Sequence, residues 1–85
     1  MNYLHNVRDG RQGWICSFEI EPLVYDELRP EHIGRTVIYQ GDYGRAEAGT
    51  LTSWRDGLVF ARYSRGDTAA GARAEDLVFA TQVSL

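Results

Sequence analysis

Short apolar runs recur along the chain, and a turn rich in glycine or aspartate ends each of them. Residues 14–21 alternate between apolar and polar, which predicts a half-buried strand that Pro22 ends, because proline cannot donate to a ladder. Residues 3–7 predict a partner strand across the glycine-bounded turn of residues 8–13, so we expect an N-terminal β-hairpin. The apolar face of the second strand would consist of Trp14, Cys16, Phe18 and Ile20.

The remainder of the chain predicts five further short strands. Asp56-Gly57 is a two-residue hairpin signal, and Gly49 indicates either a bulge or a close backbone approach. Pro30 opens a single helical turn that Gly34 follows, and a second such turn is expected at residues 74–77. The five strands are expected at residues 36–39, 48–53, 58–63, 68–72 and 78–83.

Five short strands with a one-turn helix before the last are typical of an SH3-like barrel. The expected fold is therefore all-β, a small five-stranded SH3-like barrel whose closure removes most exposed strand edges. Residues 1–28 would form a β-hairpin extension and residues 29–85 the barrel, within one domain. The uncovered edge of the N-terminal strand would invite pairing with a second copy, so a homodimer is an alternative to a monomer.

Composition narrows the classes of function. The single cysteine excludes an internal disulfide framework and a zinc site built on paired cysteines. No apolar run approaches the ~20 residues that span a bilayer and no signal-peptide pattern is visible, so we expect a soluble protein of the bacterial cytoplasm without membrane contact. A net charge of −3 argues against nonspecific DNA binding. All nine Lys/Arg positions hold arginine, which reflects either a GC-rich genome or a preference for bidentate, stacking contacts.

Catalytic groupings are weak. A nucleophilic Cys16 would need an exposed thiolate beside a base such as His5 or His32, whereas the alternation places this thiol on the apolar face as a small hydrophobe. The adjacent acids Glu75 and Asp76 are more typical of charges in a first helical turn than of paired catalytic carboxylates. We therefore expect no enzyme, no cofactor and no metal.

A series of short motifs extends over residues 33–79. The matching residues are Ile33, Gly34, Arg35, Val37, Tyr39, Gly49, Leu51, Ser53, Trp54, Val59, Phe60, Arg62, Tyr63, Asp67, Thr68, Ala69, Ala70, Glu75, Asp76, Leu77 and Phe79. The series resembles a group of short phage and prophage proteins of unknown function, with mild departures at Ala61 and Ala74. The resemblance implies a phage-related origin and an SH3-like barrel similar in shape to KOW and Tudor modules, and it carries no catalytic residue.

Loop aromatics and arginines are the strongest candidates for binding. Tyr39, Tyr43 and Trp54 lie at strand ends or in loops that converge on one mouth of an SH3-like barrel, where they would stack on bases, proline rings or a methylated cation. Alternatively, Tyr39 and Trp54 pack in the core and only Tyr43 is free. The arginines expected around the patch are Arg45, Arg55, Arg62 and Arg65.

These features favour two functions. The first is a non-catalytic, phage- or prophage-derived interaction module that binds a host or phage protein, and an inhibitor of a host system fits that description. The alternative is the binding of RNA or single-stranded nucleic acid through the loop aromatics and arginines, which would weaken steeply with added salt.

Overall fold

A computed structural model describes residues 2–41, 46–64 and 68–83 of the 85-residue chain. Within these ranges it has seven strands and no α-helix, which confirms an all-β protein. Three 3₁₀ turns, Tyr25–Glu27, Pro30–His32 and Ala74–Asp76, link the strands, and none of the described helical segments has the length or apolar character to cross a membrane. The strands are β1 (Asn2–Asp9), β2 (Trp14–Pro22), β3 (Thr36–Gln40), β4 (Ala46–Arg55), β5 (Leu58–Arg62), β6 (Ala70–Arg73) and β7 (Leu77–Gln82).

All seven strands belong to one sheet, in the order β1-β2-β7-β3-β4-β5-β6, with antiparallel neighbours. β1 also pairs in parallel with β4, between Arg8 and Glu47, and this pairing partly closes the sheet into a ring. The predicted N-terminal hairpin is present. It belongs to the same sheet as the other strands, because β2 pairs with β7 from Phe18 to Pro22.

The central strands β3, β4 and β7 are buried on both faces. One face packs in a first core cluster with Val59 and Ala61 of β5, and the other packs in a second cluster with Val7 and Phe18 of the hairpin. Burial on both faces explains why β3 is almost continuously apolar instead of alternating. The first cluster is Leu23, Val37, Leu51, Val59, Ala61, Leu77 and Phe79, and the second is Val7, Cys16, Phe18, Ile38, Ala48 and Ala80.

For one residue of β2, Trp14, the prediction that it belongs to the apolar face is wrong. Cys16 and Phe18 are buried as expected, but Trp14 is 60% exposed. Asp9 lies opposite Trp14 in the β1–β2 register and is fully buried. Because this carboxylate and its hydrogen-bond partners fill that end of the hairpin, the apolar interior ends at Cys16. Trp14 is left at the surface beside the equally exposed Ile15.

The structure contains the predicted tight turn at Asp56-Gly57 and the predicted close backbone approach at Gly49. Asp56 and Gly57 have φ of 52° and 79°, so both central residues of this tight turn are left-handed, as the Asp-Gly pair predicts. The backbone approach expected at Gly49 is also present, since a Cβ there would lie 2.7 Å from the Arg62 carbonyl oxygen. The bulge itself falls elsewhere, at Thr52, where the β4–β5 register shifts and the hydroxyl donates to the Phe60 carbonyl at 3.1 Å.

Candidate functional site

A cavity of about 270 Å³ opens beside β6, at the end of the sheet where Tyr39 of β3 pairs with Glu47 of β4. We call it the tyrosine cavity. It is assembled from three strands (β3, β4 and β6), the residue after β5 and the last residue of the turn that enters β7. Its lining residues are Tyr39, Glu47, Tyr63, Ala70, Gly71, Ala72 and Asp76.

The two tyrosines form the aromatic part of this cavity. Their ring centroids are 6.4 Å apart and the rings are inclined at 69°, the edge-to-face geometry that aromatic quadrupoles favour. Two glycines make room for them: a Cβ on Gly41 would overlap the Tyr39 ring, and one on Gly49 would lie 2.8 Å from Cδ1 of Tyr63. The positions of both rings therefore depend on the absence of a side chain nearby.

The hydroxyl of Tyr63 is buried and has no hydrogen-bond partner among the described residues. Burial, together with the nearby Glu47 carboxylate and Tyr39, raises the pKa of Tyr63 to about 12. The buried hydroxyl therefore keeps its proton at neutral pH, and neither its donor nor its acceptor capacity is used among the described residues. Leaving a buried polar group without a partner costs about 1–3 kcal/mol.

The charge of the cavity is negative. Glu47 and Asp76 are its only charged lining residues among those described, and neither takes part in an ion pair or hydrogen bond there. Two aromatic rings beside two unpaired carboxylates are suited to a cation, which the ring faces and the carboxylate oxygens both attract. The same arrangement repels phosphate.

Of the predicted binding residues, Tyr39 lies in the cavity and the other described ones lie elsewhere. Trp54 is partly buried against the first core cluster, near the far end of β4 from Glu47. The Arg55 guanidinium lies over the Phe60 ring at 5.4 Å. Arg62 is the last residue of β5 and directly precedes Tyr63, so the two side chains point to opposite faces of the sheet. The structure therefore does not gather these side chains around Tyr39. Tyr43, Arg45 and Arg65 lie outside the described residues.

The sequence alone does not identify three of the site residues, Glu47, Tyr63 and Asp76. Tyr63 packs against the first core cluster, which contains Val59 and Ala61, but nothing local in the sequence shows that a cavity lies beside it. The three residues come together only through the pairing of distant strands. The one available signal was Gly49, whose missing side chain accommodates the Tyr63 ring.

A second polar cluster, at the β1–β2 turn, is structural. Asp9 accepts from Arg11 Nε at 2.9 Å, Arg11 Nη2 at 2.8 Å and Gln12 Nε2 at 2.8 Å. Burial by itself raises the pKa of Asp9, but the hydrogen bonds and charge of Arg11 and the hydrogen bond from Gln12 outweigh it and hold the pKa below its ordinary value of 3.8. Because its oxygens are already occupied by these donors, the Asp9 carboxylate offers little to a ligand.

The described lining of the tyrosine cavity includes no cysteine, histidine or serine that could act as a nucleophile or base. Across the described ranges, no group of three or more His, Cys, Asp and Glu side chains is placed to hold a metal ion. No protein-family model matches this chain, and no curated protein or solved structure does either.

Proposed function

We propose that the protein is a non-catalytic interaction module that binds a partner protein by receiving one basic side chain of that partner in the tyrosine cavity. The observation that carries this proposal is the pair of edge-to-face tyrosines beside the unpaired carboxylates of Glu47 and Asp76. A cation over an aromatic face contributes about 0.5–2 kcal/mol, more when it is removed from water, and the carboxylates add direct attraction.

The cavity favours an arginine or lysine over a quaternary ammonium group. Guanidinium and primary ammonium groups carry N–H donors for the Glu47 and Asp76 carboxylates, and a trimethylated ammonium group carries none. A guanidinium is planar and stacks on aromatic rings while donating to carboxylates, so arginine is the better occupant of the two. A volume of about 270 Å³ accommodates such a head group but not a folded element.

Nucleic-acid binding has less support. The cavity that holds Tyr39 is lined by acids, and Arg55 and Arg62 do not surround it. The chain also carries a net charge of −3, which opposes a phosphate backbone.

The finer fold assignment and the origin belong to the same proposal. The order β7-β3-β4-β5-β6, with the 3₁₀ turn Ala74–Asp76 before the last strand in sequence, supports an SH3-like barrel to which the hairpin adds two strands. The resemblance over residues 33–79 supports a phage or prophage protein that acts in the bacterial cytoplasm on a host or phage partner.

The test is a titration of the labelled protein with N-acetylarginine amide, followed by NMR. We expect saturable shifts at Tyr39, Tyr63 and Gly71, and weaker binding by the lysine analogue. N-acetylnorleucine amide has no charge and should leave these signals unchanged. Tetramethylammonium, which has no N–H, should bind more weakly than the arginine compound.

Matched variants test whether the carboxylates of the cavity, rather than the net charge of the protein, determine the affinity. Glu47→Gln with Asp76→Asn should weaken binding of N-acetylarginine amide about tenfold, whereas Glu19→Gln, at an exposed position of β2, should not change it. Unchanged affinity in the double variant, or no saturable shift in the wild-type protein, would contradict the proposal. If oligonucleotides, used as the titrant, cause shifts that weaken steeply with added salt, the alternative function of nucleic-acid binding is favoured.

A further inference from the structure

We propose that the partner's basic residue lies in an extended segment that adds to the sheet as a new strand along the free edge of β6. This inference rests on the proposed function, because the same segment supplies the side chain that enters the tyrosine cavity. Beyond the proposed function, this inference specifies how the partner binds and which conformation its bound segment has.

β6 has an open edge. It pairs with β5 from Ala70 to Arg73, and no other described strand borders it. Outside that ladder, the described residues give the backbone of β6 no hydrogen-bond partner. The strand therefore presents unpaired N–H and C=O groups, the template that an added strand uses.

The edge carries one feature that usually protects an edge, its short length of four residues, and lacks the others. Proteins also block free edges with lysine, proline, bulges or inward charges. Here Ala70, Gly71 and Ala72 have almost no side chain, the register with β5 is regular, and the one charged residue, Arg73, stands at the end. A side chain at the centre would also crowd Phe60, since a Cβ on Gly71 would lie 2.9 Å from the Phe60 ring.

The open edge and the tyrosine cavity are contiguous. Three residues of β6, Ala70, Gly71 and Ala72, line the cavity, so a segment paired with β6 runs along the cavity mouth. Alternate side chains of an added strand point to one face, which directs one of them into the cavity and its neighbours away from it. Glu47 and Asp76 then select a basic residue at that position, and this charge complementarity identifies the occupant as an extended, basic segment of the partner.

The experiment uses a short blocked peptide with arginine at its centre and valine on either side. It should bind about tenfold or more tightly than N-acetylarginine amide, because backbone hydrogen bonds add to the contact of the side chain. Backbone amides of the peptide are then methylated one at a time. Methylation should weaken binding about tenfold at alternate positions and have little effect at the positions between them. Saturation with the unmodified peptide should slow hydrogen exchange of the β6 amides.

The outcomes separate the two proposals. If N-acetylarginine amide binds the cavity but the peptide is no tighter, or methylation has the same effect at every position, strand addition is wrong and the cavity proposal stands. If neither compound binds, the proposed function fails. If the free protein sediments as a dimer with its β6 amides already protected, a second copy occupies the edge and the inference is overturned. A peptide with norleucine in place of arginine is the control for the cavity contribution.

Discussion

Asp9 and Arg11 form a bidentate ion pair at the tip of the N-terminal hairpin, with Nε–Oδ1 and Nη2–Oδ2 distances of 2.9 and 2.8 Å. Asp9 is fully buried, and the third nitrogen of the guanidinium, Nη1, donates to the Gly49 carbonyl at 3.1 Å and to the Thr50 hydroxyl at 2.9 Å. The β1–β4 ladder consists of the pair Arg8 and Glu47, so the Arg11 contacts supply much of the attachment that closes the ring.

Removing the charge of Asp9 should destabilise the fold strongly. In Asp9→Asn the Arg11 guanidinium, whose side chain is 21% exposed, is left without its counter-charge, and breaking a buried pair in this way costs about 3 kcal/mol. Denaturant unfolding measures this change. Asp26→Asn, in an exposed 3₁₀ turn, removes the same charge and should change the unfolding free energy by less than about 0.5 kcal/mol. Equal effects of the two substitutions would contradict a stabilising role for the Asp9–Arg11 pair.

The same pair predicts an acid-sensitive stability. The pKa of Asp9 is lowered in the folded state relative to 3.8, so its carboxylate stabilises the fold above that pH. This contribution is lost as the pH falls through the depressed folded value, when the protonated Asp9 releases Arg11. Unfolding free energies measured between about pH 5 and pH 2 should therefore decline more steeply for the wild-type protein than for Asp9→Asn. Parallel curves would show that other carboxylates dominate the acid response.

Most strands could be predicted because their signals are local. The alternation at residues 58–63 and the Asp56-Gly57 turn each depend on a few neighbouring residues, and the structure places β5 and its turn where these signals predict. The exposure of Trp14 could not be predicted, because it depends on a buried Asp9 whose partner Arg11 is itself held by Thr36 of β3 and Thr50 of β4. Local pattern cannot show that a carboxylate takes an inward position.

The closure of the ring and the candidate site depend on contacts between distant parts of the chain. Nothing in residues 2–9 indicates pairing with Glu47, so the hairpin was expected to be an extension. Tyr39 was recognised because aromatic residues at strand ends are common binding groups, but Glu47, Tyr63 and Asp76 join it only through strand register and the path of the last turn. Side chains on separate strands become a site only when the pairing is known.

Tyr63→Phe should stabilise the protein, which is unusual for a partly buried tyrosine. Its hydroxyl has no partner among the described residues, so deleting it removes a desolvation cost and should raise the unfolding free energy by about 1 kcal/mol. Tyr25→Phe is the matched contrast: the Tyr25 hydroxyl accepts from the Gly57 N–H at 3.1 Å, so its loss should lower the unfolding free energy by about 0.5–1 kcal/mol. A loss of stability in both variants would show that the Tyr63 hydroxyl is satisfied in solution.

Tyr63 should also make the fold sensitive to alkali. Its pKa rises from 10.0 to about 12 on folding, so the unfolded chain ionises first and stability falls as the pH rises from 10 to about 12. Denaturant unfolding across this range should show a decline that is smaller in Tyr63→Phe. Ultraviolet titration of the folded protein should show one tyrosine that ionises at about pH 12, and this step should be missing from the variant.

Gly49→Ala should disturb both the fold and the tyrosine cavity. The added Cβ would lie 2.7 Å from the Arg62 carbonyl oxygen and 2.8 Å from the Tyr63 ring, and the backbone carbonyl cannot move aside without straining the β4–β5 ladder. Overpacking of this kind costs about 1–3 kcal/mol. Ser53→Ala, exposed on the same strand, should change the unfolding free energy by less than about 0.5 kcal/mol. The variant should also weaken binding of N-acetylarginine amide, because the Tyr63 ring is displaced. Normal stability with normal binding in Gly49→Ala would mean that the cavity tolerates a shift of this ring, and the geometric argument for a preformed site would then be wrong.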